Sequence, residues 1–191
     1  MNQRKYTEGR HFERCIDHEN PLLEGDYENC RFFGCDFSAA SLSDINFTDC
    51  IFSDCNFSMA EVRKTVFNSV RFIECKLLGI HFEDCHPVPF NVEFERCTLD
   101  YASFVKCSLR KTKFTNCNLL EVDFTESDLQ EAVFENCDLL KTIFERTNLE
   151  KTDFRTSIRF SIDPDLNRMK RARFSSEGLE GLLYKYGLQI D

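Results

Sequence analysis

A chain that turns a corner every five residues, and stacks its turns into a solenoid, is the architecture expected from these 191 residues. Three features require it: a large apolar side chain at every fifth position over long runs, a small or modest one two residues before each, and one change of phase in mid-chain. A helix would repeat its apolar positions every 3.6 residues and a half-buried strand every second residue, so a strict period of five fits neither.

The first run starts at Phe12 and continues through Asp17, Leu22, Tyr27, Phe32, Phe37, Leu42, Phe47, Phe52, Phe57, Val62, Phe67, Phe72 and Leu77 to Phe82; only Asp17 is not large and apolar. The second alternates Phe and Leu from Phe94 to Phe154, loses the pattern at Arg159, Pro164 and Met169, and regains it at Phe174. Together the two runs hold 17 of the 20 phenylalanines. All eleven cysteines fall in this phase, ten of them two residues before a position of the runs and Cys85 one step beyond the first run.

These residues resemble the pentapeptide-repeat family, whose unit reads roughly A(D/N)LXX around a central Phe or Leu. The stretches "CDFSAASLSDINFTDCIFSDCNF" and "CNLLEVDFTESDLQEAVFENCDLLKTIFERTNLEKTDF" carry the match, strong over about residues 27 to 156. The resemblance implies an all-β solenoid: a right-handed quadrilateral β-helix with four pentapeptides to a coil. About eight coils at a strand spacing of about 4.8 Å would make a rod about 40 Å long.

Along the chain, residues 1–25 are expected to hold a degenerate first coil and cap the apolar N-terminal end, and 26–85 to form the first repeat segment. From Phe82 to Phe94 is two residues more than two pentapeptides, and "HPVPF" lies in that slip. Its prolines cannot donate to a ladder, so 86–93 should bulge, either as a packing irregularity or as a loop that touches a partner. Residues 94–174 form the second segment, its last coil degenerate. In 175–191 the sequence predicts a short α-helix: Ser175 or Ser176 as N-cap, Glu177 in the first turn, Leu179, Leu182, Leu183 and Tyr186 on one face, Gly187 as the stop. That face either covers the last coil or also pairs with a second subunit.

With twenty residues to a coil, Cys15, Cys35, Cys55 and Cys75 fall in one column and Cys97, Cys117 and Cys137 in another. Thiols in a line do not converge as tetrahedral zinc requires, and parallel side chains at coil spacing lie outside disulfide geometry. The cysteines read as small apolar filler, with no metal. His11, His18, His81 and His86 have no ligand spacing, and the seven scattered glycines form no phosphate-binding loop. No paired carboxylates are set for acid-base work. The expectation is therefore no enzyme and no cofactor.

The start of the chain lacks an apolar leader and no apolar run reaches the roughly 18 residues of a membrane span, which predicts a cytoplasmic protein without a membrane partner. A net charge of −9 argues against direct binding to nucleic acid and for a basic protein partner. The polar opening, "FFGCDFSAASL", the mid-chain break and the terminal "GLLYKYGLQID" most resemble the quinolone-resistance (Qnr-like) branch of the family. That resemblance implies a homodimer joined through its C-terminal helix, whose acidic surface imitates duplex DNA and enters the basic groove of DNA gyrase or topoisomerase IV. A structural or regulatory scaffold unrelated to topoisomerases is the alternative.

Twenty-residue columns sort the charges. Lys106, Glu126 and Arg146 alternate in sign, as do Lys111, Glu131 and Lys151, and Glu121 lies one coil from Lys141. Asp36, Asp49, Asp123, Asp128 and Asp138 have no basic residue twenty away, and Asp54 and Glu74 share a like-charged column. These seven carboxylates are the candidate partner surface, weighed against an ordinary solvated acidic face.

Overall fold

The computed structural model describes residues 4–188 and is a right-handed β-solenoid. Its strands are β1 (Lys5–Glu8), β2 (His11–Glu13), β3 (Gly25–Glu28), β4 (Arg31–Phe33), β5 (Asn46–Thr48), β6 (Ile51–Ser53), β7 (Val66–Ile73), β8 (Phe90–Glu95), β9 (Lys113–Thr115) and β10 (Val133–Glu135). Every strand pair is parallel, and outside the slip the register is twenty residues: Phe12 faces Phe32, Tyr27 faces Phe47, and Phe114 faces Phe134. The remaining sides of the coil are joined by single bridges such as Asp36 to Asn56 and Ser103 to Asp123. About seven turns result, against the eight expected.

The corners explain the period of five. A recurrent corner residue sits in the left-handed region, for example Asn29 (φ 51), Asp49 (φ 52), Glu126 (φ 59) and Lys151 (φ 61). That conformation is unfavourable for a residue with a Cβ. Ladder bonds hold it in place: Asp49 donates its N–H to Asn68 at 2.9 Å, and Glu126 to Glu145 at 2.9 Å.

Inside, one column stacks Phe12, Phe32, Phe52, Phe72, Phe94, Phe114, Phe134, Phe154 and Phe174, with ring centroids 4.6 to 5.4 Å apart and planes within 15°. The column runs through the slip unbroken, since Phe72 pairs directly with Phe94. The two extra residues are absorbed in the preceding side, where a 3-10 turn at Phe82–Asp84 leads into an exposed loop at 86–89. Beneath this loop lies a cavity of about 470 Å³ lined by Phe82, Cys85, Phe90, Val105 and Cys107 among others.

The slip also joins the thiols. Lys76 bridges Thr98, so Cys75 stacks on Cys97, and the two expected columns are one: Cys35, Cys55, Cys75, Cys97, Cys117 and Cys137. Each thiol donates to a carbonyl of the turn below, as Cys55 does to Phe32 at 3.6 Å and Cys97 to Phe72 at 3.3 Å. All eleven cysteines are free thiols, but two depart from the filler role. Cys15 is exposed because Asp36 donates to Ile16, which moves Ile16 into the inner slot. Cys107 is half-buried because the bulging loop no longer covers it. Burial pushes the Cys50 and Cys107 thiols up to about 12, so both are protonated at neutral pH.

Where the inner slot carries a hydroxyl, the same bond recurs: Thr147 donates to Phe124 and Thr152 to Leu129, both at 2.8 Å. Ser127 is buried with its hydroxyl unpaired. In the degenerate last coil the twenty-residue register holds at Asp138–Ile158 and Asn148–Arg168, and the distortion is confined to the residues between. Arg159 becomes a corner (φ 59), and Phe160 and Ile162 turn inward.

The tail differs from expectation. Its α-helix, α1, covers only Glu180–Leu183 and passes into a 3-10 turn at Tyr184–Tyr186, stopped by Gly187 at φ 58. Ser175 accepts the N–H of Gly178 at 3.2 Å and thus holds the turn before the helix, without being its N-cap. The expected single apolar face divides: Leu182 packs on the core and Leu183 is half-buried, whereas Leu179 and Tyr186 are exposed. Gly181 allows this docking, since a Cβ there would lie 2.3 Å from the carbonyl oxygen of Phe160. Residues 189–191 of the expected segment lie outside the described residues. Among the described residues no helix is long and apolar enough to cross a membrane.

Lys185 anchors the tail to Asp163 at 2.5 Å and also reaches Asp165. The Lys185 hydrogen bond holds the Asp163 carboxyl below its ordinary 3.8, and Asp163 in turn raises the lysine above 10.5. The depressed carboxyl adds stability above its unfolded value that is lost as pH falls through the folded one; the raised ammonium adds stability below 10.5 that is lost as pH rises. Hydrogen exchange should show constant tail protection across neutral pH, with loss of protection in 180–187 below pH 3.8 while the solenoid stays protected. In chemical denaturation, Phe114→Ala should cost about 3–5 kcal/mol. Thr147→Val should cost about 1 kcal/mol, whereas Ser127→Ala should leave stability unchanged or raise it.

Candidate functional site

The outward positions are set by the corner geometry, so the seven candidate carboxylates project from known sides of the coil. Asp49 and Asp54 are corner residues, each at φ 52, fully outward and without an ion pair among the described residues. Asp36 and Asp123 also lack an ion pair among these residues, but each is tied to its own turn. Asp36 accepts the N–H of Ser38 at 3.0 Å and Asp123 that of Thr125 at 2.8 Å. Hydrogen bonds from the Ser38 side chain and backbone hold the Asp36 carboxyl below the usual carboxylate range.

The other three candidates have cationic partners that a twenty-residue column does not reveal. Glu74 is bound by Arg96 at 2.8 Å, twenty-two residues on, because the slip lengthens that one coil. Asp128 meets Arg110 at 3.1 Å along a diagonal and also accepts from Asn148 at 2.7 Å. Asp138 accepts from Arg159 at 2.8 Å, because Asp138 bridges Ile158 and the arginine beside it reaches back along a diagonal. The like-charged column of Asp54 and Glu74 is therefore half neutralised.

The alternating columns form as the spacing requires. Glu126 lies 3.8 Å from Lys106 and 3.0 Å from Arg146, Glu131 lies 3.9 Å from Lys111 and 2.7 Å from Lys151, and Glu121 meets Lys141 at 3.0 Å. Much of the second segment's acidity is thus paired on the surface. The first segment contrasts with it.

There the geometry adds a residue that column counting had set aside. Asp44 has Lys64 twenty residues on, yet its exposed carboxylate makes no ion pair among the described residues. Asp44 (φ 61), Asp49 and Asp54 occupy three successive corners of a single coil. The signal was present in the sequence as Asp at the same place in three consecutive pentapeptides. Between them lie half-buried Asn46, Thr48, Ile51 and Ser53, which form an uncharged floor. This ribbon of three free carboxylates on a rigid backbone can bind cations or hydrogen-bond donors.

Among the described residues no three His, Cys, Asp or Glu side chains are placed to hold a metal ion. His81 is paired with Glu83 at 3.1 Å. Nearby, Ser103 donates to the same glutamate at 2.8 Å.

Comparison with known proteins places the fold. No curated protein matches the chain at a significant level. Among solved structures, a trypsin-treated form of QnrB1, a plasmid-mediated fluoroquinolone resistance protein, is 20% identical over 98% of each chain, with a TM-score of 0.50. HetL, a pentapeptide repeat protein involved in heterocyst differentiation regulation from the cyanobacterium Nostoc sp. strain PCC 7120, is 15% identical over 93% of this chain and 90% of its own, with a TM-score of 0.52. At such identities the likeness is one of fold. The family model for the pentapeptide repeat region matches residues 26–104 and 89–159, so the chain belongs to the pentapeptide-repeat family.

Proposed function

We propose that the chain is a non-catalytic binding rod whose acidic first segment docks in the basic groove of a protein partner, with a type II topoisomerase such as DNA gyrase or topoisomerase IV as the partner to test first. The observation that carries this reading is the set of free carboxylates at successive corners, Asp44, Asp49 and Asp54, on a backbone fixed by ladder bonds. A rigid line of unpaired anions is what a groove built for the phosphates of duplex DNA attracts, and its charge is screened over about 8 Å at physiological salt. The pairing of Glu126 and Glu131 removes most of the second segment from that role.

A scaffold that docks other proteins, with no topoisomerase involved, is favoured by a separate observation. The apolar cavity of about 470 Å³ beneath the loop at 86–89, with Val88 exposed above it, is suited to an apolar side chain of a partner. The two readings use different parts of the rod, so substitutions separate them.

Titration into a gyrase supercoiling reaction, with and without a fluoroquinolone, is the direct test; absence of binding, inhibition and protection removes the topoisomerase reading. Where binding occurs, Asp49→Lys with Asp54→Lys should weaken it about tenfold or more. Glu126→Lys should change it less, because that carboxylate already holds Lys106 and Arg146. Equal losses refute the corner ribbon.

For the oligomer, we propose a homodimer formed across the exposed Leu179 and Tyr186 of the tail. Leu179→Glu with Tyr186→Glu should halve the sedimentation mass without changing the thermal midpoint. Leu182→Glu should instead destabilise the fold, since Leu182 packs on the core. A parent chain that sediments as a monomer overturns the dimer.

A further inference from the structure

The net charge of −9 conceals a reversal near the end of the chain. Residues 155–174 carry six basic residues against two acidic ones, a net +4, which leaves −13 on the rest. Four of those cations, Arg168, Lys170, Arg171 and Arg173, fall within six residues on the last turn, and all four are exposed. The segment is rigid: Leu149, Lys151 and Phe154 donate to the carbonyls of Arg168, Lys170 and Arg173 at 2.8 to 3.0 Å.

The carboxylates on the adjacent turn are already committed. Glu150 holds Arg168 at 2.8 Å, Asp153 holds Arg155 at 2.8 Å and Arg173 at 3.2 Å, and Glu131 holds Lys151 at 2.7 Å from the far side. Lys170 and Arg171 have no ion pair among the described residues, and Arg171 stacks one turn beyond Lys151 at a corner of φ 62. Four of the other seven cations without an ion pair among the described residues differ. Arg10 and Arg14 lie over the rings of Phe12 and Phe33. Arg63 and Lys64 lie one turn from the exposed Asp84, whose carbonyl accepts the Lys64 N–H at 2.7 Å.

We infer that the edge formed by Lys151, Lys170 and Arg171 is a second docking surface, which takes an acidic polypeptide segment of a partner. Lys170 and Arg171 are adjacent cations without a carboxylate, and Arg171 also faces Lys151 across one turn; such crowding of like charge costs stability and is relieved by a bound anion. Guanidinium and ammonium donors projecting from a fixed corner match carboxylates. The patch is two turns deep, and beyond about 8 Å an extended polyanion leaves its field and meets the acidic rod. A short acidic peptide fits that confinement, whereas a duplex does not. This surface lies outside the ribbon at Asp44, Asp49 and Asp54 and goes beyond the function proposed for it.

The test is fluorescence anisotropy of a labelled peptide of about ten glutamates with the full chain at about 50 and about 300 mM salt. Binding should weaken with salt, and Lys170→Glu with Arg171→Glu should weaken it about tenfold or more. The thermal midpoint should not fall, because neither side chain has an ion pair to lose, a glutamate at 171 would face Lys151 one coil away, and Glu131 already occupies the equivalent corner two coils away at φ 61. Asp49→Lys with Asp54→Lys should leave peptide binding unchanged or tighten it, which separates this surface from the acidic ribbon. Three results overturn the inference: unchanged peptide binding after the charge reversal, tighter binding of a duplex of about 20 bp than of the peptide, or salt-sensitive self-association abolished by the same reversal. The last would assign the edge to a second copy of the chain.

Discussion

The parallel backbone ladder, repeating every twenty residues, is the constraint on which the rest of this molecule depends. Each turn donates to the turn beside it, and each corner reaches the left-handed region only because those bonds hold it there. A corner residue such as Asp49 therefore projects its side chain from a place decided by the backbone and not by its own preference. Side chains on such a scaffold are ordered before any partner arrives, which lowers the entropic cost of binding.

The same register builds the interior. Phenylalanines one coil apart stack in parallel, and those on neighbouring sides of a coil meet edge to face, as Phe104 and Phe114 do at 6.2 Å and 87°. Nine rings in one column leave only a small slot two residues earlier, and Cys, Thr, Ser and Ala fill it. Eight of the thiols belong to this packing and donate to the turn below, as Cys50 does to Tyr27 at 3.3 Å, and burial keeps Cys50 protonated. The slip leaves the ring column intact and disturbs the preceding side, and Cys107 and the cavity are both products of that local defect.

Surface charge follows a looser rule than the core. Inward positions are set by the backbone to within a bond length, so counting by twenty finds them. Long side chains on the outside reach diagonally, and Arg110 to Asp128 spans eighteen residues, Arg159 to Asp138 twenty-one and Arg96 to Glu74 twenty-two. Counting by twenty thus recovered the alternating columns around Glu126 and Glu131. It wrongly freed Glu74, Asp128 and Asp138, and it set aside Asp44. A single net charge likewise hid the basic last turn, since −9 is a sum over two surfaces of opposite sign.

The amino-acid pattern alone determined the repeat, the inward phenylalanines, the cysteine slot and the place of the slip, because a period of five admits one way of hiding so many apolar residues. The tertiary structure decided matters that depend on where two turns meet. It joined two thiol columns into one across the slip, exchanged Cys15 for Ile16, and turned Phe160 inward in place of Arg159. It shortened the tail helix to Glu180–Leu183, because Gly181 and Leu182 dock on Phe160 and the core instead of continuing a helix in solvent. It also decided which carboxylates and cations remain unpaired, since that depends on side-chain reach between turns, a distance that spacing along the chain does not contain.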